Sequence, residues 1–108
     1  MIIEGRADVD LMDFYRILTR CIDQDCYSLT IRQLEVFLTC YLLDEDHTVR
    51  RLSSRLRVAK PAISRMLDHL VEEGLIERRA DASDRRSVIF GRTCAGQEFL
   101  ERIAKPVL

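Results

Sequence analysis

The hydrophobic rhythm of this chain changes at Gly74, and no other feature constrains the fold as strongly. Before that point apolar residues recur at helical spacing; after it they come in two short runs of β type. Upstream, Ile63, Met66, Leu67 and Leu70 share one face of a helical period that Pro61 opens and Gly74 closes. Proline fits a first helical turn, where its missing N–H has no partner to lose, and glycine adopts the left-handed conformation that ends a helix. Downstream, Leu75-Ile76-Glu77-Arg78-Arg79 and Ser87-Val88-Ile89-Phe90 flank residues 80–86, a connection rich in turn formers. That pattern predicts a β-hairpin.

The rest of the chain reads as helices. Residues 8–23 carry Leu11, Phe14, Tyr15, Leu18, Cys21 and Ile22 at helical spacing, with Asp8 or Asp10 suited to cap the start. Residues 24–28 read as a loop. Thr30 and Gln33 have the spacing of a capping box, and Leu34, Phe37, Leu38, Tyr41 and Leu42 follow as a stripe. After the polar residues 44–46, Thr48 is suited to cap a short helix ending near Leu56, with Val49, Leu52 and Leu56 inward. Arg57-Val58-Ala59 then forms a tight turn. Thr93 is suited to cap a last helix with Phe99, Leu100 and Ile103 as its apolar side. The expected fold is mainly α with a small β-hairpin, a winged helix-turn-helix, in one domain over residues 1–108. Its parts are an N-terminal helix (8–23), expected to dimerise, a helix-turn-helix (48–74), a wing hairpin (75–92) and a short C-terminal helix (93–105).

Charge sharpens this reading. The 108 residues carry a net charge of −1, which taken alone argues against a nucleic-acid partner. The average hides a segregation: residues 48–92 hold eleven bases and six acids, net +5, while the remainder holds six bases and twelve acids, net −6. A basic middle within acidic flanks suits a local anion-binding surface. Fifteen of the seventeen bases are Arg, whose planar fork matches phosphates and base edges better than Lys does.

Two short helices, a tight turn and a basic hairpin imply a division of labour on double-stranded DNA. A helix over residues 60–73 fits the major groove, and a hairpin tip over 80–87 reaches the minor groove or the phosphates. With Ile63, Met66, Leu67 and Leu70 buried, the opposite face is Pro61, Arg65, Asp68 and Glu72, flanked by Ala62, Ser64 and His69. Pro61, Ala62, Ser64 and Arg65 are the base-reading candidates, and Arg65 is the one long fork suited to a guanine edge. Lys60 suits a phosphate at the helix start, and Thr48, with Arg50 and Arg55, suits others. At the hairpin tip, Asp84 can hold an Arg two residues away while Arg85 and Arg86 reach the DNA.

The run 52–58, then 63–79, then Asp84-Arg85-Arg86, then Thr93 with Gly96, resembles the MarR family of bacterial regulators over roughly residues 29–103. Gly74-Leu75-Ile76-Glu77-Arg78 and Asp84-Arg85-Arg86 are its most specific parts. The resemblance implies a winged-helix homodimer that represses, less often activates, nearby genes. It implies that residues 60–73 form the recognition helix, that Asp84 and Arg86 are the wing pair and that Arg85 lies near the tip. Many relatives sense small phenolic ligands or oxidants; which effector this chain takes, the sequence does not say. Two departures stand out. Arg92 occupies the place where relatives carry Leu before Thr93. The long last helices that build most of the family's dimer interface are shortened here, so this is expected to be a short form whose dimer rests on the first helix and a stub.

A winged helix used for protein contacts, as an adaptor or antagonist of another regulator, should expose apolar anchors on residues 60–73; this sequence puts Ser64 and Arg65 there. Thiol sensing would use Cys21 or Cys26, but Cys21 falls on an apolar stripe, where a thiol is inert. None of the four cysteines forms a CxxC pair or a zinc spacing with His47 or His69. Asp44, Glu45, Asp46 and His47 cluster as an acid-base or metal site would, although a polar loop, with His47 at the surface or capping a helix, is the simpler account. No enzyme activity or cofactor is expected. With no signal-peptide pattern and no apolar run of membrane length, a cytoplasmic location is expected, with no membrane partner.

Overall fold

The computed structural model describes residues 6–23 and 27–104, with side chains described for 11–22 and 27–104. In chain order the elements are α1 (Arg6–Asp23), α2 (Ile31–Leu42), α3 (Val49–Leu56), α4 (Lys60–Glu72), β1 (Ile76–Ala80), β2 (Val88–Arg92) and α5 (Cys94–Ala104). The fold is the expected mainly-α winged helix-turn-helix.

Local chemistry sets the helix ends. Thr30 accepts from Gln33 N–H at 3.1 Å while Gln33 Oε1 accepts from Thr30 N–H at 2.9 Å, completing the capping box. Thr48 caps α3 through Arg51 N–H, and Thr93 caps α5 through Gly96 N–H. Gly74 has φ +76, and Leu75 N–H and Gly74 N–H reach back to the Leu70 and Val71 carbonyls, a Schellman ending. The turn between α3 and α4 holds a less expected left-handed residue, Arg57 at φ 56. A non-glycine there costs about 1–2 kcal/mol. Ser53 helps to offset this, its carbonyl accepting from Val58 N–H and its hydroxyl donating to the Val58 carbonyl at 2.6 Å.

The core lies where α2, α4, the hairpin base and α5 meet. Phe37, Ile63, Leu67, Leu70, Leu75, Ile76 and Phe99 are essentially inaccessible. Met66, expected inward, is half-buried. Phe37 stacks against Tyr41 and meets Phe99 edge-on. The Tyr41 hydroxyl donates to the Leu75 carbonyl at 2.6 Å and accepts from Thr93 N–H at 3.0 Å, while Thr93 Oγ1 donates to the Gly74 carbonyl at 2.6 Å. Three chain segments are thus tied at one phenol.

Three expectations need correction. The strands lie slightly later than predicted, and β2 runs through Gly91 and Arg92. His47 is not on the surface; its ring meets the C-cap residue of α2. It is 4% exposed, its ring Nε2 is 2.9 Å from the Leu43 carbonyl, and its own carbonyl accepts from Phe90 N–H. This bridge makes a third, one-residue strand beside β2. The apolar stripe of α1 is buried only in part. Ile17 and Cys21 pack on the core, and Arg20 donates to the Ile103 carbonyl of α5, but Leu11, Phe14, Tyr15 and Ile22 are exposed. α1 already includes Asp8 and Asp10, whose side chains, like Cys26, lie outside the described residues.

Candidate nucleic-acid interface

α3 and α4 meet across the Arg57 turn, and the hairpin folds back beside them, leaving an open cleft of about 960 Å³ between α3, α4 and the wing. The cleft draws together Thr48, Ser64 and Arg86 of the expected site, and Arg50 besides. Lys60, Pro61 and Arg65 lie outside it, exposed on the first two turns of α4, with Ala62 half-buried. Arg85 is exposed at the tip. Arg51, Ser54, Arg78, Ser83 and Ser87 also line the cleft and were missed. Arg51 and Ser54 were legible, because they follow Thr48 at the i, i+3 spacing of one helix face. Arg55, by contrast, is engaged with Glu45 at 2.6 Å.

Several groups are poised by local bonds. Thr48 uses its oxygen to cap α3, which leaves its hydroxyl proton free to donate outward. No side chain caps the start of α4. At the wing, Asp84 does not grip a guanidinium. Its Oδ1 accepts from the Arg86 backbone N–H at 3.0 Å and its Oδ2 from the Ser87 hydroxyl at 3.1 Å. It therefore orients Arg86 through the backbone. Asp81 similarly receives Ser83 N–H and hydroxyl, and these bonds hold its carboxyl below the usual range. Among the described residues, the guanidinium groups of Arg65, Arg85 and Arg86 form no ion pair.

Arg92, the unusual residue before Thr93, lies over the Tyr41 ring, 5.8 Å from its centroid, and its Nε is 3.4 Å from the Cys40 carbonyl. A cation there faces the negative end of α2.

The cysteines sit apart from the cleft. Burial pushes the Cys40 thiol from 9.0 up to about 12, with Arg92 pulling weakly the other way. Burial also raises Cys21, which lines an apolar cavity of about 280 Å³ with Leu18, Tyr27, Leu34 and Phe99. Cys94 is exposed. Alkylation of the native protein at pH 8 is expected to modify Cys94 and spare Cys40, which reacts only on unfolding; mass mapping of the adducts reads the order. Since thiolate formation is suppressed in the folded state, Cys40 favours folding below about pH 9, and this contribution is lost as pH rises towards 12. Among the described residues, no group of three or more His, Cys, Asp or Glu side chains is placed to hold a metal ion, and no helix is long and apolar enough to cross a membrane.

A helix-turn-helix followed by a two-stranded wing defines the winged-helix class. The MarR family model matches residues 29–88, more than half of the chain, and the chain belongs to the MarR family. Solved structures agree on the fold. A transcriptional regulator from Thermotoga maritima superposes with a TM-score of 0.78 at 23% identity, covering 90% of this chain and 66% of that one. A mutant of E. coli MarR complexed with operator DNA gives 0.69 at 26% identity, with the same coverages. CouR from Rhodococcus jostii RHA1, bound to p-coumaroyl-CoA, gives 0.66 at 22% identity, again covering 90% and 66%. The chain thus spans just under two thirds of the length of these structures. No curated protein sequence matches it.

Proposed function

We propose that this MarR-family chain is a sequence-specific regulator of transcription that binds double-stranded DNA as a homodimer and acts as a repressor. One observation carries the reading: the cleft joins donors from α3, α4 and the wing on one face, with Arg65 and Arg85 unpaired beside it. α4 enters the major groove, where Pro61, Ala62, Ser64 and Arg65 meet base edges. Lys60 and the uncapped helix start take one phosphate, and Thr48 and Arg51 take others. Arg85 and Arg86 reach the minor groove or its phosphates, with Asp84 fixing the loop. The operator complex of the E. coli relative supports the same partner.

The exposed face of α1 supports the dimer. Phe14 and Tyr15 are 54% and 60% exposed, and Ile31 and Leu42 of α2 are 72% and 65% exposed, an apolar surface that a single chain leaves in water. No large apolar side chain is exposed on α4, so a protein-contact role for that helix lacks its anchors. Among the described residues, the cavity beside Cys21 is one place suited to a small apolar effector, such as the family senses.

Binding to random-sequence duplex across several salt concentrations, with the mass measured in the same buffer, tests this. The expected result is a protein of twice the chain's mass, whose log affinity for duplex falls by about 0.9 per phosphate neutralised for each log unit of salt. Absence of binding at low salt would overturn the DNA reading, and a monomer at all concentrations would overturn the dimer.

A further inference from the structure

The cleft contains a carboxylate in an awkward place. Asp68 lies on the third turn of α4, one turn beyond Ser64 and Arg65 and on the same outward side. A bare carboxylate there would confront the polyanion that the proposed function brings against this face. Its partner is Arg78 of β1, which forms an ion pair and hydrogen bond with Asp68 Oδ1. Among the described residues this ion pair alone joins α4 to the hairpin. The two side chains are 54% and 48% exposed, and pairs so wet add little to stability. Its value therefore lies in the charge it cancels and the two elements it connects. Arg78 also differs from Arg85 and Arg86: one nitrogen of its guanidinium is already paired with a carboxylate, while theirs form no ion pair.

We infer that Arg78 is a positioning residue for nucleic-acid binding, which neutralises Asp68 and fixes the hairpin against α4 without itself contacting phosphate. This rests on the DNA-binding reading above. Removing Arg78 alone exposes the carboxylate to the duplex; removing both members of the pair returns the cleft to its original net charge.

The test compares the wild type with R78Q, R78K and D68N/R78Q on random-sequence duplex over a salt series, with thermal unfolding of each as a control. R78Q is expected to bind about tenfold more weakly with little change in melting temperature. R78K retains the charge and is expected within about threefold of wild type. D68N/R78Q is expected to recover most of the lost affinity and to share the wild-type salt slope. If the double variant stays as weak as R78Q, with a slope shallower than wild type by about 0.9, Arg78 touches phosphate itself and the inference is overturned. Equal binding by R78Q and wild type overturns it as well. A wild type that does not bind at low salt removes the DNA-binding reading, a failure distinct from both.

Discussion

Replacing Gly96 by Ala is expected to destabilise the protein by about 3 kcal/mol, lowering its melting temperature by roughly 12–24 °C. A Cβ on residue 96 would fall inside the van der Waals radii of the Tyr41 hydroxyl oxygen and the Leu75 carbonyl oxygen. The latter is backbone in the turn between α4 and β1, so it cannot swing aside. The methyl group must therefore displace the tyrosine and break its bond to Leu75, which leaves a buried carbonyl unsatisfied. Calorimetry of the purified variant reads the shift. A loss below about 1 kcal/mol would mean that α5 slides away cheaply and that the close approach is not essential. Tyr41→Phe keeps the ring and removes only the bonds, so a smaller loss, about 1–2 kcal/mol, is expected.

The second large effect concerns sequence choice. Arg65→Ala is expected to erase discrimination at one base pair of each half-site, about 1–3 kcal/mol, while binding to random duplex changes much less. Arg85→Ala is expected to weaken selected and random sequences by the same factor and to reduce the salt slope by about 0.9. Competition between a selected operator and random duplex separates the two. The expected asymmetry follows from placement: Arg65 is an exposed fork on the second turn of α4, whereas Arg85 is exposed at the tip of the wing. Equal loss of discrimination in both variants would contradict the assignment.

The order of elements was readable because each signal was local. Pro61, Gly74 and the three threonine caps act within a turn of where they stand, and the change of hydrophobic period needs no tertiary knowledge. What stayed hidden depends on distant partners. His47 resembles any polar loop residue, because the strand residue it pairs with, Phe90, comes 43 positions later. Tyr41 falls on an apolar stripe, and its hydroxyl gains meaning only when Leu75 and Thr93 arrive. Arg57 carries no composition cue for a left-handed backbone. At the candidate site the sequence marked the exposed ends, Arg65 and Arg85, better than the cleft between them. Arg78 and Ser87 reach that cleft through the fold-back of the hairpin, which no periodicity encodes. α1 misled for the opposite reason: its period is clear, but a period reveals that a face is apolar, not what covers it.

The His47 bridge also decides where the hairpin can bend. β2 is held at Phe90 from both edges, by Arg78 of β1 on one side and by His47 on the other. Its base is clamped like the root of a cantilever, while the span between Ala80 and Val88 is held only by bonds within itself. In the complex proposed above, α4 would keep its seat on the bases while the wing follows the shape of the duplex.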